Sequence, residues 1–400
     1  MIVLTLNCGS SSVKYQLINT KTEIVHCLGI VERIGVDGTR IVHKKDSEKF
    51  IIKPHLLDHK AAIDSILELL TDEKYGCITS LDEIDAIGHR LVHGADKLTT
   101  SVKIDESVMD ILKECIGFAP LHNPANIKGV EAAQDELPNK PNVGVFDTAF
   151  HSTMPPVAYI YGIPKKYLTE HSIRRYGFHG TSHYFVSHKA AEMMGKDIGE
   201  LKIITVHLGN GASVTAIENG KSVDTSMGFT PLEGLIMGTR CGDVDPGVLF
   251  HISILEDLDD ENHMNEFFNK HCGMLGITGK TSDMRDIESW ALDGDKEMKL
   301  AMDIYCYRIK KYISSYIGIL NQADAIVFTG GVGENSDVTR EWVLANMENL
   351  GIKIDPAKNN GLRGKAQEIS TDDSKVKVFA IPTNEELVIA QETERVLSQK

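Results

Sequence analysis

The sequence predicts an α/β protein built from two related halves. Apolar, strand-like runs alternate with helix-like periodic segments along its 400 residues, and a chain of this length is expected to form two domains. Residues 2–19 and 201–219 each consist of a strand, a turn of small residues and a second strand. The two hairpins align with Ser12 opposite Ser213, about half the chain apart. A repeat at half length indicates a duplicated architecture rather than a solenoid.

The composition excludes several classes of protein. A hydrophobic fraction of 42% and a charged fraction of 25% are typical of a soluble globular chain. The formal net charge of -15 argues against nucleic acid as a partner, although a local cationic site could still bind a substrate phosphate. The seven cysteines form no C-x-x-C motif, which favours reduced thiols and a cytoplasmic protein. We expect neither a signal peptide nor a membrane span, because no basic leader and no long apolar run are present.

The first hairpin is a candidate phosphate-binding element. Its turn contains Gly9 and three serines, and Lys14 follows shortly after. Small residues let the backbone approach an anion, while N–H, O–H and ammonium groups donate to phosphate oxygens. The alternative is an ordinary surface turn, since Gly and Ser are common there. The second hairpin, with the turn His207–Gly211, favours the phosphate interpretation, because two such hairpins facing each other would hold a polyphosphate.

Polar groups follow two predicted strands of the first half. A strand at 84–87 precedes His89, Arg90 and His93, and a strand at 142–146 precedes Asp147. Ligand groups in α/β sheets lie at the carboxyl ends of strands. The alternatives are a solvated loop for the cationic segment and a helix cap or turn for the aspartate. We therefore expect a binding site at this edge of the sheet.

The second half carries three candidate ligand segments. Residues 173–180 form a glycine-flanked loop before a helix that we expect Thr181 or Ser182 to cap. Residues 238–247 place one arginine among glycines and two aspartates. A strand at 325–328, the glycine-rich turn at 330–335 and a helix form a nucleotide-binding layout without the G-x-G-x-x-G spacing. In the long helix predicted at 299–320, the tyrosines are expected to pack rather than to contact a cofactor.

The last helix is predicted to begin with a capping box. Thr383 and Glu386 have the required spacing, so Glu386 is explained structurally. Glu385 is then free to hold a metal ion. Its alternative role is favourable interaction with the helix dipole.

Nine motifs, in chain order, resemble those of the acetokinase family, the acetate kinases within the acetate and sugar kinase/Hsp70/actin superfamily. They are NCGSSSVKY, GHRLVHG, FAPLHNP, VFDTAFH, RRYGFHGTSH, HLGNGASV, TSMGFTPLEGLIMGTRCGDVDPG, TGGVGENS and PTNEE. The resemblance implies a duplicated ββαβαβα fold, ribonuclease H-like and actin-like, with central mixed sheets and a cleft between two domains. The resemblance also implies a homodimer. Because the pattern of strands and helices restarts past residues 154–156, we expect an N-terminal domain at 1–150, completed by a helix at about 385–400, and a C-terminal domain with nucleotide-binding segments at 151–384.

The resemblance assigns roles to individual residues. Near Mg²⁺, for which Mn²⁺ could substitute, it places Asn7 and Glu385. At the phosphates of ATP or ADP it places Ser10, Ser12 and Lys14. The other ATP-binding residues that it implies are His207, Leu208, Gly209, Asn210, Gly211, Asp283, Met284, Arg285, Gly331, Val332, Gly333, Glu334 and Asn335. It makes Arg90 the contact of the substrate carboxylate, in an apolar pocket formed by Val92, Leu121, Phe178 and Pro231. The catalytic residues it implies are Arg90, Asp147, His179 and Arg240. Two conservative departures are Cys8, where Ala is frequent, and Met284, where Phe is frequent.

The implied activity is reversible in-line transfer of a phosphoryl group from ATP to acetate, which gives acetyl phosphate and ADP. Propionate or another short-chain carboxylate is the alternative substrate. A nucleotide-driven switch of the Hsp70 or actin type is the alternative of a different class, and it leaves the Arg90, His179 and Arg240 loops unexplained. A carboxylate substrate is ionised at pH 7 and needs no general base. We therefore expect Asp147 to orient an arginine or a metal-bound water.

Overall fold

The computed structural model describes residues 1–46, 48–54, 56–120, 122–258 and 260–399. The chain divides into two compact units, the first formed by Met1–Ser152 with Asn384–Lys400 and the second by Thr153–Thr383. Each unit has its own mixed β-sheet covered by helices. No helix in the described ranges is long and apolar enough to cross a membrane. The α/β class is confirmed.

A mixed sheet of eight strands organises the described part of the first unit, in the order β5-β4-β3-β2-β1-β6-β8-β7. The strands are β1 (Ile2–Gly9), β2 (Ser12–Asn19), β3 (Ile24–Glu32), β4 (Arg40–Lys45), β5 (Glu48–Ile52), β6 (Ala86–Leu91), β7 (Val102–Lys103) and β8 (Asn142–Phe146). β1 is antiparallel to β2 but parallel to β6, and β6 is parallel to β8. The carboxyl ends of β1, β6 and β8 therefore meet at one edge.

Three helices of this unit follow the strands: α1 (His59–Thr71), α2 (Glu106–Glu114) and α3 (Asn123–Glu136). Apolar residues of α1 recur every three or four positions, and Ile63 and Ile66 pack in one core with Leu4 and Leu17 of the sheet. Complete burial of such a side chain contributes roughly 1.5–3 kcal/mol to folding. Asp58 caps α1, since its carboxylate accepts from the backbone N–H of Ala61.

Strand β6 is longer than the sequence predicts. The apolar run stops near Ile87, but β6 continues through His89 and Arg90 to Leu91. The strand is extended by parallel neighbours on both sides, because β1 pairs with β6 as far as His89 and β8 pairs with β6 as far as Leu91. The prediction that these residues lie beyond the end of the strand is wrong: they belong to a central strand.

The second unit repeats this arrangement. Its six described strands have the order β11-β10-β9-β12-β14-β13. They are β9 (Lys202–Leu208), β10 (Ala212–Glu218), β11 (Lys221–Thr225), β12 (Ala325–Thr329), β13 (Gln367–Glu368) and β14 (Lys377–Ala380). The five strands β11-β10-β9-β12-β14 match β3-β2-β1-β6-β8 in order and in direction. The duplication predicted from the two hairpins is confirmed.

The helices of the second unit are α4 (Pro156–Tyr159), α5 (Lys166–His171), α6 (Gly180–Met194), α7 (Pro246–Leu255), α8 (Glu261–Lys270), α9 (Gly273–Thr278), α10 (Met284–Leu292), α11 (Lys296–Leu320), α12 (Gly330–Asn335), α13 (Asp337–Leu344) and α14 (Pro356–Asn359). The long helix α11 begins three residues before the predicted Lys299, because Asp295 caps it through the backbone N–H groups of Glu297 and Met298.

The last helix, α15 (Glu385–Ser398), belongs to the first unit and packs on β6 and β8. Gly88 allows this close approach, since a Cβ there would lie 2.5 Å from the Thr393 hydroxyl. The expectation that Thr383 caps this helix is wrong. The side chain of Asn384 accepts from the backbone N–H of Leu387, so the cap lies one residue later.

Candidate active site

The first unit places a fixed cation where its parallel strands end. The Arg90 guanidinium donates twice to Asp147, from Nε to Oδ1 at 2.9 Å and from Nη2 to Oδ2 at 2.6 Å. Its Nη1 donates to Asn7 Oδ1 at 3.3 Å. Asp147 is buried, whereas the Arg90 side chain is 22% exposed. A paired arginine that remains open to solvent on one side is suited to binding an anion with its free N–H groups.

The geometry of this group follows from the sheet. Asn7 lies near the end of β1, Arg90 one residue before the end of β6, and Asp147 directly after β8. The backbone N–H of Asp147 donates to the carbonyl of Leu91, which ties the two strand ends together. The three residues are distant in sequence, and parallel pairing brings them to one edge.

Sequence reasoning missed Asn126, which holds two of these strand ends. This buried residue of α3 accepts from the backbone N–H of Val92 at 3.0 Å and donates to the carbonyl of Cys8 at 2.7 Å. It therefore fixes the segments that carry Arg90 and Asn7. The available signal was an amide flanked by apolar residues, since a polar group that becomes buried needs hydrogen-bond partners.

Glu385 lies in the same electrostatic environment. The pKa of its carboxyl is raised to about 7, first by burial and also by the negative charges of Asp147 and Glu386, against the opposing effects of Arg90 and Lys14. Lys14 is exposed on β2 directly opposite Asn7. On the same hairpin, Ser10 is exposed in the turn and Ser12 is half-buried at the start of β2. The predicted metal and phosphate residues of this unit thus belong to one hairpin and one helix start.

The oxygen donors present here fit a hard divalent cation. Asn7 offers an amide oxygen and Glu385 a carboxylate, whose pKa is raised chiefly by burial. Mg²⁺ is commonly held by one or two protein oxygens together with water and substrate phosphates. Within the described residues, no cluster of three or more His, Cys, Asp or Glu side chains could hold a metal ion. The residues therefore fit a shared ion rather than a closed protein cage.

In the second unit, three histidines and two serines form one cluster. His179 Nδ1 lies 2.9 Å and His183 Nε2 2.7 Å from Ser213 Oγ. The rings of His179 and His207 stack with their centroids 4.2 Å apart, and Ser182 Oγ lies 2.8 Å from His207 Nδ1. Ser213 is the residue that pairs with Ser12 in the hairpin alignment, and here its hydroxyl orients imidazole rings instead of facing solvent.

His179 occupies a strained position at the start of α6. Its φ of 56° lies in the left-handed region, where a non-glycine residue is uncommon. The helix begins at Gly180, so the expected cap at Thr181 or Ser182 is wrong; both are buried inside its first turn. Such strain is maintained only by surrounding contacts, and it clusters at functional sites.

Arg240 approaches His179 from another loop. A Cβ added to Gly211 would lie 3.3 Å from Arg240 Nη1 and 3.3 Å from His179 Nε2, so both polar atoms adjoin this hairpin turn. Arg240 Nη1 donates to the carbonyl of Pro231 at 3.3 Å. Burial lowers the pKa of Arg240. Phe178 is buried, and its loop is tied to that of Pro231 because Gly177 N–H donates to the carbonyl of Gly228.

A pocket of about 870 Å³ lies within the second unit, a volume in the range of ligand sites. Its lining includes eight of the predicted ATP-binding residues, namely Gly209, Asn210, Asp283, Met284, Arg285, Gly331, Val332 and Asn335. Glycines from three loops can admit phosphates to their backbones, while Met284, Leu292 and Val332 give an apolar surface for a base. Asp283 caps α10 and also pairs with Arg285, whose side chain is 90% exposed.

The remaining predicted ATP-binding residues do not line this pocket. Leu208 is fully buried in β9, and Gly333 is buried inside α12. The carboxylate of Glu334 accepts from the backbone N–H of Gly330 at 3.0 Å and of Thr383 at 3.0 Å. Glu334 thus stabilises the turn that carries the pocket residues. His207 and Gly211 adjoin His179, as described above.

Gly238 belongs to the candidate ligand segment predicted at 238–247, whereas sequence reasoning missed other lining residues, namely Ser282, Glu288, Ser289, Leu292, Tyr305, Ser336 and Arg363. Tyr305 was expected to pack, and its side chain is indeed buried, yet it also borders the pocket.

The resemblance also implied an apolar pocket for the methyl group of the acid. Of its residues, Val92 is buried in the first unit. Leu121 lies outside the described residues.

Comparisons with known proteins agree with these motifs. The model of the Acetokinase family matches residues 2–391. The chain belongs to the acetokinase family. An acetate kinase of Fervidobacterium nodosum is 55% identical over 401 residues, covering 100% of this chain and 98% of the relative.

Solved structures of this family share the fold. The acetate kinase of Porphyromonas gingivalis superposes with a TM-score of 0.94 at 49% identity, covering 99% of this chain and 100% of that one. A propionate kinase from Francisella tularensis superposes with a TM-score of 0.92 at 41% identity, and 99% of each chain is covered. Similarity within the acetokinase family therefore extends to kinases named for two different short acids.

Proposed function

We propose that this chain catalyses the reversible transfer of the γ-phosphoryl group of ATP to acetate, giving acetyl phosphate and ADP. The observation that carries the proposal is Arg90, held by two bonds to buried Asp147 and one to Asn7, and still open to solvent. A planar cationic fork fixed in this way suits a small carboxylate. Family membership and the pocket beside Met284 support ATP as the second substrate.

Catalysis of this transfer depends on position and electrostatics. Charge spreads over the equatorial oxygens of the transferring group, and in-line attack needs little covalent chemistry from the protein. We assign Arg90 to the acid, and Arg240 and His179 to the phosphoryl oxygens. Removal of one such donor in other enzymes costs about 10² to 10³ in rate. The apolar residues that we assign to the methyl group are Val92 of the first unit and Phe178 and Pro231 of the second.

A Mg²⁺ ion, when bound, would neutralise negative charge on the phosphates. Asn7 and Glu385 would hold it, with Ser10, Ser12 and Lys14 donating to the phosphates. Asp147 has a different role in this proposal. Its carboxylate accepts both bonds of the Arg90 fork, and an ionised acid substrate has no proton to remove. Asp147 therefore orients Arg90 rather than acting as a general base.

We further propose that the enzyme is a cytoplasmic homodimer whose two units are the actin-like domains of this family. Helix α7 supports a dimer, because none of its residues is buried although its sequence is strongly apolar. Phe250, Ile254 and Leu255 are between 67% and 78% exposed. Apolar surface of this extent marks an interaction site, and a second copy of the chain would cover it.

The acid that is turned over best decides between the two substrate proposals. One methylene changes transition-state binding by only about 1–3 kcal/mol, so acetate and propionate should both react. Purified protein is incubated with ATP, Mg²⁺ and each acid, and the acyl phosphate is trapped as a hydroxamate. We expect kcat/KM to fall from acetate to propionate to butyrate. A maximum at propionate would reassign the substrate.

A further inference from the structure

We propose that Arg340 is the positioning residue of the nucleotide pocket, an inference that rests on the function proposed above. Arg340 lies on α13 and does not line the pocket. Its side chain is fully buried. Its guanidinium instead joins two chain segments that carry lining residues, through backbone carbonyls and the Asn359 side chain.

The first bonded segment is the glycine-rich helix α12. Arg340 Nη1 donates to the carbonyl of Gly333 at 2.8 Å. Gly333 lies between Val332 and Asn335, both of which line the pocket. This bond therefore fixes the middle of α12, whose neighbouring residues line the pocket.

The second bonded segment runs from Asn359 to Arg363. Arg340 Nε donates to Asn359 Oδ1 at 2.8 Å, and Nη2 donates to the carbonyl of Leu362 at 3.1 Å. Arg363, the next residue, lines the pocket. A single planar group thus sets the spacing of two walls that are far apart in sequence.

The chemistry of this arginine indicates positioning rather than simple packing. Among the described residues, no carboxylate forms an ion pair with Arg340, and burial lowers the pKa of its guanidinium to about 10. A buried charge of this kind is expensive, and an apolar residue of similar volume would often be neutral or stabilising. What an apolar residue cannot supply is a rigid fork that donates to carbonyls of two segments at once.

The test uses Arg340→Lys, which keeps the charge but replaces the fork with a point donor. We expect KM for ATP to rise by about 10- to 100-fold, since small misplacements of binding groups have effects of this size. KM for acetate should change by less than about threefold. Val343→Ala is the matched control, because Val343 is fully buried on the same helix and its truncation leaves a cavity. This control should lower the melting temperature and leave KM for ATP unchanged.

Asn359→Ala provides a second variant if Arg340→Lys does not fold. It removes one acceptor of the fork and should raise KM for ATP by about 3- to 10-fold. Isothermal titration with ADP should show a matching loss of affinity in each folded variant. The inference would be overturned if a folded Arg340→Lys protein kept the wild-type KM for ATP and the wild-type affinity for ADP. If the lysine variant does not fold, the same result in Asn359→Ala would overturn it. Failure of the proposed function is distinct, because the wild-type protein would then form no acyl phosphate from acetate.

Discussion

Replacement of Asp147 by asparagine tests the interpretation of the Arg90 cluster. The side chain keeps its shape but loses its charge and one of the two acceptors of Arg90. At about 2.8 Å and an effective dielectric constant of about 20, the lost attraction is roughly 6 kcal/mol before solvation is considered. Breaking a buried pair costs about 3–5 kcal/mol in measured cases. Because Arg90 is 22% exposed and can be hydrated, we expect the lower end, about 3 kcal/mol of unfolding free energy.

Activity should fall more than stability alone explains. With one acceptor and the negative charge lost, the Arg90 fork is held less firmly, and kcat/KM for acetate should fall by about 10² to 10³. The assay is hydroxamate formation at a temperature where both proteins are folded, alongside urea unfolding. Glu32→Gln is the control, since Glu32 pairs with Arg40 at the surface at 2.5 Å. An exposed pair contributes only about 0–1 kcal/mol, so this variant should retain its activity.

The shape of the pH profile separates orientation from proton transfer. If Asp147 only orients Arg90, the variant loses rate by a similar factor at every pH above the pKa of acetate. A rate in Asp147→Asn within threefold of the wild-type rate would refute the electrostatic role. Recovery of the lost rate at high pH would instead indicate that the carboxylate acts as a base.

Three further predictions follow from single side chains. Burial lowers the pKa of His89 to about 4, below its unfolded value, so the unfolded state binds more protons between pH 4 and 6.5 and stability is lost as pH falls through that window. His89→Gln should remove a pH-dependent contribution of up to about 3 kcal/mol to the unfolding free energy measured in urea titrations. An unfolding free energy that depends on pH equally in the variant and the wild-type protein would contradict this. Among the described residues the buried Tyr305 hydroxyl has no hydrogen-bond partner, so Tyr305→Phe should raise the unfolding free energy by about 1 kcal/mol. A lower unfolding free energy in this variant would show that the hydroxyl forms a hydrogen bond. Phe250→Glu should shift the sedimentation coefficient to that of a monomer without unfolding the chain, and an unchanged coefficient would place the dimer contact elsewhere.

The sequence predicted the elements whose signal is local. The two hairpins, the strand before Asp147 and the glycine-rich turn after β12 were recognisable because period-two apolar runs and turn residues are short-range patterns. The duplicated strand order followed from the alignment of the hairpins. Motif resemblance added residue roles that periodicity alone does not contain.

What the sequence could not supply were effects of neighbours distant in the chain. Parallel partners on both sides extended β6 past its apolar run, so His89 became a buried strand residue bonded to Asn142. The left-handed conformation of His179 and the carbonyl bonds of Arg340 are set by loops that meet only in the folded protein. Residues that support a site through other residues carry no local signature.

The central claim is that this protein phosphorylates a short carboxylic acid with ATP. The most direct measurement incubates the purified chain with ATP, Mg²⁺, acetate and hydroxylamine, and quantifies acetyl hydroxamate and ADP together. Our account predicts equal amounts of both products, each dependent on acetate and each reduced by at least about 100-fold in Asp147→Asn. ADP release without hydroxamate, at a rate independent of acetate, would contradict it and favour a nucleotide-driven switch.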